Sequence, residues 1–114
     1  MPPLDTLRPS LASLRKRIGL ETPVEQADGA GGVTRTFSLS ATLWGRVTPL
    51  RGEDGVVASA RGQVLTHRVV LRHRTGLDTT MRLRVGARRL AIRAVYDPDE
   101  RRRLLVCLCE EVRA

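Results

Sequence analysis

The sequence has few aromatic residues, almost no lysine and no long apolar run. Phe37, Trp44 and Tyr96 are the only aromatic residues among 114, and Lys16 is the only lysine. No apolar stretch approaches the roughly 20 residues of a membrane-spanning helix, and residues 1–10 lack the apolar core of a signal peptide. We therefore expect a soluble, cytoplasmic protein that folds as a single domain, 1–114, without contact with a membrane.

Cysteine is also scarce, which argues against a disulfide scaffold. Cys107 and Cys109 are the only two cysteines, and in a strand they project to the same face, so we expect them to be reduced and buried. His67 and His73 would complete a set of four metal ligands, but the spacing of neither pair is that of a zinc motif. Both histidines fall in the apolar phase of a strand pattern, which favours core or edge positions over ligation or catalysis.

Signatures of catalysis and of cofactor binding are missing as well. The sequence contains neither G-x-S-x-G nor H-E-x-x-H, and the glycines of residues 28–32 are not followed by Gly-Lys-Ser/Thr. Glu110 and Glu111 follow an apolar strand, where an exposed strand end or a salt bridge between subunits is a better interpretation than catalysis. The sequence therefore predicts a protein that is not an enzyme and that needs no metal or cofactor.

Positive charge is abundant. Twenty Lys+Arg against twelve Asp+Glu give a formal net charge of +8. One interpretation is the codon bias of a GC-rich genome, and the other is contact with a polyanion, since a basic surface attracts phosphates. Both remain open at this point.

Alternation of apolar and polar residues predicts a mainly β protein. Residues 34–48 alternate with period two, with the apolar phase formed by Phe37, Leu39, Ala41, Leu43 and Val47. The run is long for a strand, so we expect a bend or bulge near Gly45. Trp44 lies in the polar phase and is therefore expected to face a partner rather than the core.

The same reasoning places the other strands. One is expected over about 16–24 after one or two helical turns, residues 28–32 connect a hairpin, and residues 64–74 alternate again. Residues 81–94 form a hairpin that turns at 86–87, with Leu90, Ile92 and Ala94 in one phase. Residues 96–99 form a turn, and residues 104–109 are apolar in both phases, which predicts a strand buried on both sides.

Six arginines occupy outward phases of the predicted strands: Arg72, Arg74, Arg82, Arg84, Arg89 and Arg93. If these strands are neighbours, the arginines form one basic face that could bind nucleic acid. The shortage of aromatics argues against this, because single-strand-binding sheets stack bases on several aromatic side chains. Alternatively, the arginines hold carboxylates of a neighbouring subunit.

In order and spacing, residues 28–37, 41–52, 66–74 and 81–111 resemble the head-tail joining proteins of tailed phages, also called head-closure or stopper proteins. These segments read DGAGGVTRTF, ATLWGRVTPLRG, THRVVLRHR and MRLRVGARRLAIRAVYDPDERRRLLVCLCEE. The family also occurs in gene transfer agents. Residues 1–14 extend beyond the short start that the family leads us to expect.

The resemblance implies a small antiparallel β-barrel with a short helix or loop inserted between strands. It also implies a ring, typically hexameric, between the portal or adaptor above and the tail terminator or tail tube below. Such a ring closes the DNA-filled head, offers the surface on which the tail docks and lies near double-stranded DNA without reading its sequence. The particle would be assembled in the bacterial cytoplasm. Alternatives are a tail terminator or adaptor of the same connector, or a basic nucleic-acid-binding barrel that acts alone.

The resemblance also suggests site residues. Residues 49–63 show no strand alternation, which fits a mobile loop or a short helix from Asp54 to Arg61, and they occupy the position of the family's inserted segment. Arg51, Glu53, Asp54 and Arg61 would be the polar groups of a gate in the channel. An outward Trp44 would anchor an interface, and the arginines expected at subunit or partner contacts are Arg72, Arg74, Arg82 and Arg84.

Overall fold

The computed structural model describes residues 11–50 and 64–112 and shows a mainly β domain. A single 3-10 turn, Leu11–Ser13, precedes six strands. The strands are β1 (Lys16–Ala27), β2 (Val33–Pro49), β3 (His67–Arg72), β4 (Arg82–Val85), β5 (Arg88–Tyr96) and β6 (Leu104–Val112). None of the described helices is long and apolar enough to cross a membrane.

The six strands pair antiparallel in the order β1-β2-β3-β6-β5-β4, and β4 pairs with β1 to close the ring. That closing contact is short, because β1 meets β4 only from Gly19 to Glu21. The predicted antiparallel β-barrel is confirmed, although it is uneven. The inserted segment between β2 and β3 lies mostly outside the described residues; of it, the structure shows Pro49 at the end of β2 and Leu50, whose N–H donates to the carbonyl of Thr66.

Alternate residues of all six strands fill the barrel interior. The core contains fully buried aliphatic side chains together with both cysteines: Ile18, Leu20, Val69, Leu71, Leu83, Val85, Leu90, Ile92, Cys107 and Cys109. Gly45 belongs to this interior rather than to a bulge, contrary to the sequence expectation. A Cβ there would lie 2.5 Å from Cδ1 of Ile18 and 2.9 Å from the carbonyl oxygen of Val70, so only glycine lets β2 approach β3 this closely.

A smaller apolar cluster lies on the outer face of the barrel. Val70, Leu104 and Val106 are buried there beneath Leu14 and Leu108. The segment before β1 therefore covers one side of β6, while the core covers the other. The prediction that residues 104–109 are buried on both sides is confirmed.

Residues 22–38 form a hairpin, called the arm below, that extends beyond the barrel. Among the described strands its two strands pair only with each other, because β4 leaves β1 at Glu21 and β3 reaches β2 only from Gly45. The connection at its tip is the predicted one: Oδ1 of Asp28 accepts hydrogen bonds from the N–H groups of Ala30 (2.8 Å) and Gly32 (3.0 Å). These donors lower the pKa of Asp28 below its ordinary value.

Two register shifts change the side-chain phases that the sequence predicts. Leu20 pairs with Ala41 but Glu21 pairs with Leu39, so Ser40 is an extra residue in β2. As a result Ala41 and Leu43 pack on the core, whereas Leu39 is exposed. A second shift at Arg93 brings Val95, rather than the predicted Ala94, against the core.

Candidate assembly surface

Trp44 is the most prominent apolar group on the barrel exterior, with 55% of its surface exposed. It stands opposite Arg17 in the β1·β2 register, so both side chains share the outer face. The guanidinium of Arg17 lies 5.3 Å from the centre of the indole, which is cation–π geometry. The expectation that Trp44 points away from the core agrees with the structure.

Grooves run along both sides of the indole. The first, of about 340 Å³, is lined on its apolar walls by Leu11, Leu14 and Leu43, with Arg72 at its rim. The second, of about 560 Å³, is lined mainly by cationic side chains, among them Lys16 and Arg46. An apolar anchor between clefts is the form in which a protein partner inserts side chains of its own.

The cations around Trp44 lack acidic partners. Within residues 11–50 and 64–112, no carboxylate lies within 4 Å of the basic groups of this region, which are Arg15, Lys16, Arg17, Arg46 and Arg72. Their charge is therefore available to a partner that brings negative groups. Trp44 together with these five cations is called the Trp44 surface below.

Arg82 and Arg84, predicted at an interface, both face a carboxylate of their own chain. The nearly buried Glu21 accepts a 2.6 Å hydrogen bond from Nε of Arg82, and Nη1 of Arg84 lies 4.0 Å from its second oxygen. The guanidinium of Arg82 also lies 3.9 Å from the centre of the Phe37 ring. Glu21, Phe37 and Arg82 are called the clamp below, because they join β1, β2 and β4 where the arm leaves the barrel.

The carboxylates near the end of β6 pair with two arginines of β5. Glu110 lies 3.1 Å from Arg93, and Glu111 lies 3.1 Å from Arg88. The salt bridges expected for these glutamates between subunits thus form within the chain. Two of the exterior arginines counted as candidate polyanion contacts are already neutralised in this way, Arg82 by Glu21 and Arg93 by Glu110.

A single basic face is not present, which corrects a further expectation. β3 and β4 lie three positions apart in the ring of six strands, so they are on opposite sides of the barrel. Arg72 therefore lies far round the barrel from Arg82 and Arg84. Arg74, just after β3, is half-buried, and its Nε has no hydrogen-bond partner in the described part of the chain.

His67 and the two cysteines belong to the interior. Nδ1 of His67 lies 2.8 Å from the hydroxyl of Thr66, and Nε2 is buried without a partner among the described residues. Burial, followed by the charge of Arg88, lowers the pKa of His67. Burial raises the pKa of Cys107 to about 12 and that of Cys109 further, so both thiols are held protonated. The described residues include no cluster of three or more groups that could hold a metal ion.

The expected gate residues Arg51, Glu53, Asp54 and Arg61 lie outside the described residues. Sequence reasoning missed Arg17, Arg46 and Glu21. Arg17 and Glu21 acquire their neighbours only through the β1·β2 and β1·β4 registers, and no periodicity within one strand reveals such pairs.

Residues 9–112 match the phage head completion protein family. The chain belongs to this family. The matched range contains the whole barrel, the arm and the Trp44 surface.

Two solved structures share the fold of this family member. The solution structure of protein SF1141 from Shigella flexneri 2a has a TM-score of 0.70 at 28% identity, covering 89% of this chain and 95% of the other. A chain in the virion of a native gene transfer agent particle has a TM-score of 0.67 at 30% identity, covering 94% and 100%. No curated protein matches this chain.

Proposed function

We propose that this chain is a structural connector at the junction of head and tail in a phage or a phage-like particle. The observation that carries the proposal is the match to a chain of a gene transfer agent virion over nearly the full length of both chains. Membership of the head completion family supports the same role. The work of such a protein is positioning, without catalysis.

We place the connector in a ring, with six copies as the resemblance implies, between the portal or adaptor and the tail. A heterologous contact between identical copies closes into a ring when its rotation divides the circle. In this arrangement the ring closes the filled head, acting as a stopper, and presents the surface on which the tail docks. DNA in the channel would be met through its phosphates alone.

Within this ring we assign the Trp44 surface to the contact with a neighbouring protein. An exposed indole between two grooves, flanked by cations that have no acidic partner among the described residues, supports an acidic protein surface as its partner. Arg72 remains a proposed contact residue on this surface. Arg82 and Arg84 are better assigned to the base of the arm, since Glu21 engages them.

The inserted segment is proposed as the gate of the channel. Removing residues 52–61 should leave the barrel folded but yield heads that lose DNA or fail to join tails. Loss of soluble protein on this deletion would show that the segment packs as part of the domain instead.

The connector role is tested by joining heads and tails in vitro. Filled heads that lack this chain should not bind tails until the purified protein is added. Trp44→Ala should fold normally, because the side chain is half exposed, yet reduce joining at least tenfold. Tyr96→Ala is the matched control, since Tyr96 is a similarly exposed aromatic outside the Trp44 surface.

Either of two results would contradict these assignments. Tail joining that proceeds without the chain would remove the connector role, whereas an unfolded Trp44→Ala would make Trp44 a residue of the fold. Binding of duplex DNA by the isolated monomer, with a steep dependence on salt, would favour the nucleic-acid-binding alternative.

A further inference from the structure

The arm has two free backbone edges. Over residues 22–27, β1 pairs with β2 on one side, and no strand of the described residues pairs with its other side. Over residues 33–44, β2 likewise pairs with β1 alone among the described strands, since β3 begins to pair only at Gly45. The two edges face opposite sides of the hairpin, so the arm can accept one strand on each side.

The hydrogen bond at the tip shows which peptide groups face these edges. The N–H of Asp28 donates to the carbonyl of Gly32 at 3.1 Å. Because bonded and non-bonded pairs alternate in an antiparallel ladder, the pairs Gln26·Thr34 and Val24·Thr36 bond within the arm. The peptide groups that point outward are therefore those of Glu25 and Ala27 on β1 and those of Val33, Arg35, Phe37 and Leu39 on β2.

The position of Pro23 is consistent with this assignment of bonded and non-bonded pairs. It pairs with Phe37, a non-bonded position of the arm, so its missing N–H costs no hydrogen bond inside the hairpin. It also removes one donor from the free edge of β1. The free edge of β2 is less protected, because residues 33–44 contain no proline and their charged side chain is Arg35, while the bulge at Ser40 interrupts the edge near the barrel.

The exposed edge of β2 is also apolar at several points. Val33 is 66% exposed and Leu39 is 62% exposed, and Trp44 follows along the same strand. Long, weakly protected edges of this kind pair readily with other strands, and monomeric proteins generally cover them or place charges on them. The exposure of this edge is therefore best explained if another strand covers it in the assembled state.

The clamp fixes the direction of the arm relative to the barrel. Glu21 binds Arg82 of β4, and Arg82 stacks on Phe37 within the arm. An arm held in one direction can meet a neighbour without first paying the entropy of ordering.

We propose that the free β2 edge of each arm pairs antiparallel with the free β1 edge of the arm of a second copy. This inference rests on the ring of the proposed function. In copies related by rotation about the ring axis, the β1 strands of neighbouring arms run in the same direction. Since β2 runs opposite to β1 within each arm, β2 of one copy is antiparallel to β1 of the next. In a closed ring each arm has one copy on either side, so both of its edges are paired, whereas a single foreign strand pairs only one.

The charges at the two edges are complementary. Glu25 on β1 and Arg35 on β2 are both exposed, and both are among the residues whose peptide groups point to the free edges. Within one arm their side chains already form an ion pair at 2.9 Å. When edges of two copies meet, each brings a charge opposite to that of its neighbour. The contact is heterologous, so it repeats around the ring until no edge is left.

Arg35→Pro, compared with Arg35→Ala, tests the proposal. Both variants lose the exposed ion pair, which contributes little to stability. Only the proline also removes an N–H that points to the free edge, and no hydrogen bond within the arm depends on that N–H. Position 35, like position 23, belongs to a non-bonded pair of the arm, and position 23 already carries a proline. Arg35→Pro should therefore fold, and a thermal unfolding scan of the monomer measures whether it does.

In particles assembled with each variant, we expect Arg35→Pro to give at least tenfold fewer complete rings than Arg35→Ala. Hydrogen exchange of the wild-type chain is the second measurement. Exchange at Val33, Arg35, Phe37 and Leu39 should slow at least tenfold on assembly. Thr34 and Thr36, whose amides are bonded in the isolated arm, serve as internal controls.

Equal ring formation by both variants, or unchanged exchange at the four amides, would overturn the edge pairing while leaving the connector role intact. If Arg35→Pro fails to fold, the exchange measurement decides alone. A wild-type chain that forms no ring at the junction would overturn the proposed function, and the edge pairing with it.

Discussion

The barrel and the arm are built from the same two strands, yet they are stabilised in different ways. In the barrel, Ile18 and Leu20 of β1 belong to one core cluster, to which the other five strands also contribute side chains. In the arm, the same strand continues through Glu25 and Gln26, which are exposed and face only β2. The barrel thus supplies the stability of the fold, and the arm supplies surface that the rest of the described chain leaves uncovered.

The change from one region to the other takes place over a few residues. The extra residue Ser40 moves Leu39 to the outside, while Ala41 remains inside. Glu21, at the same level, is buried under arginines rather than under aliphatic groups. The clamp therefore marks the boundary between the part that folds the chain and the part available for assembly.

The largest expected effect distinguishes a core leucine from Leu39, an exposed leucine on the free edge of β2 at the base of the arm. Leu71→Ala removes a fully buried side chain from the barrel and should lower the free energy of unfolding by about 3 kcal/mol. Leu39→Ala removes a mostly exposed one and should change it by less than about 0.5 kcal/mol. Urea titrations of both variants measure these values, and equal losses would show that the arm is part of the core.

A smaller effect is expected at the clamp. Glu21→Gln leaves Arg82 half-buried without its carboxylate and should lower the free energy of unfolding by about 1 to 2 kcal/mol. Glu25→Gln breaks a similar ion pair that is fully exposed on the arm, so it should cost less than about 0.5 kcal/mol. The comparison fails if both substitutions cost the same.

The smallest expected effect is on the pH dependence of stability, which should differ between the barrel and the arm. The pKa of His67 is lowered in the folded barrel, so the unfolded chain binds its proton more readily. Stability is then complete above the ordinary pKa of 6.5 and falls as the pH drops through 6.5 toward the folded value. In the arm, the pKa of Asp28 is lowered, so its contribution is lost only as the pH falls below its ordinary value of 3.8.

Unfolding at pH 7.5, 6.5 and 5.5 should therefore show a loss that His67→Gln abolishes. His73→Gln should retain the loss, since His73 is the other histidine of the chain and, unlike His67, is only partly buried. A slope that persists in His67→Gln would assign the proton to another group.

The sequence predicted the strands well, because period two is visible within each of them. It did not predict the phase changes at Ser40 and Arg93, since an inserted residue in a bulge leaves no mark on composition. It also could not show that β3 and β4 lie on opposite sides of the ring, which is a consequence of closure. The prediction of a single basic face was wrong for this reason, because it assumed that the arginine-bearing strands are neighbours.

Among the site residues, the outward direction of Trp44 was predictable from its position in a polar phase. The partners of Arg82 and Arg93 were not, because Glu21 and Glu110 come from distant parts of the chain and become neighbours only through strand pairing. Local pattern thus identified the exposed aromatic, whereas the distribution of charge depended on tertiary structure.

Electron cryomicroscopy of the intact particle tests the central claim most directly. We predict a ring of this chain between the portal or adaptor and the tail, with the arms side by side and the Trp44 surface against an acidic patch of a neighbouring protein. Absence of the chain from the junction would contradict the connector role. A ring whose arms stand apart would contradict the edge pairing.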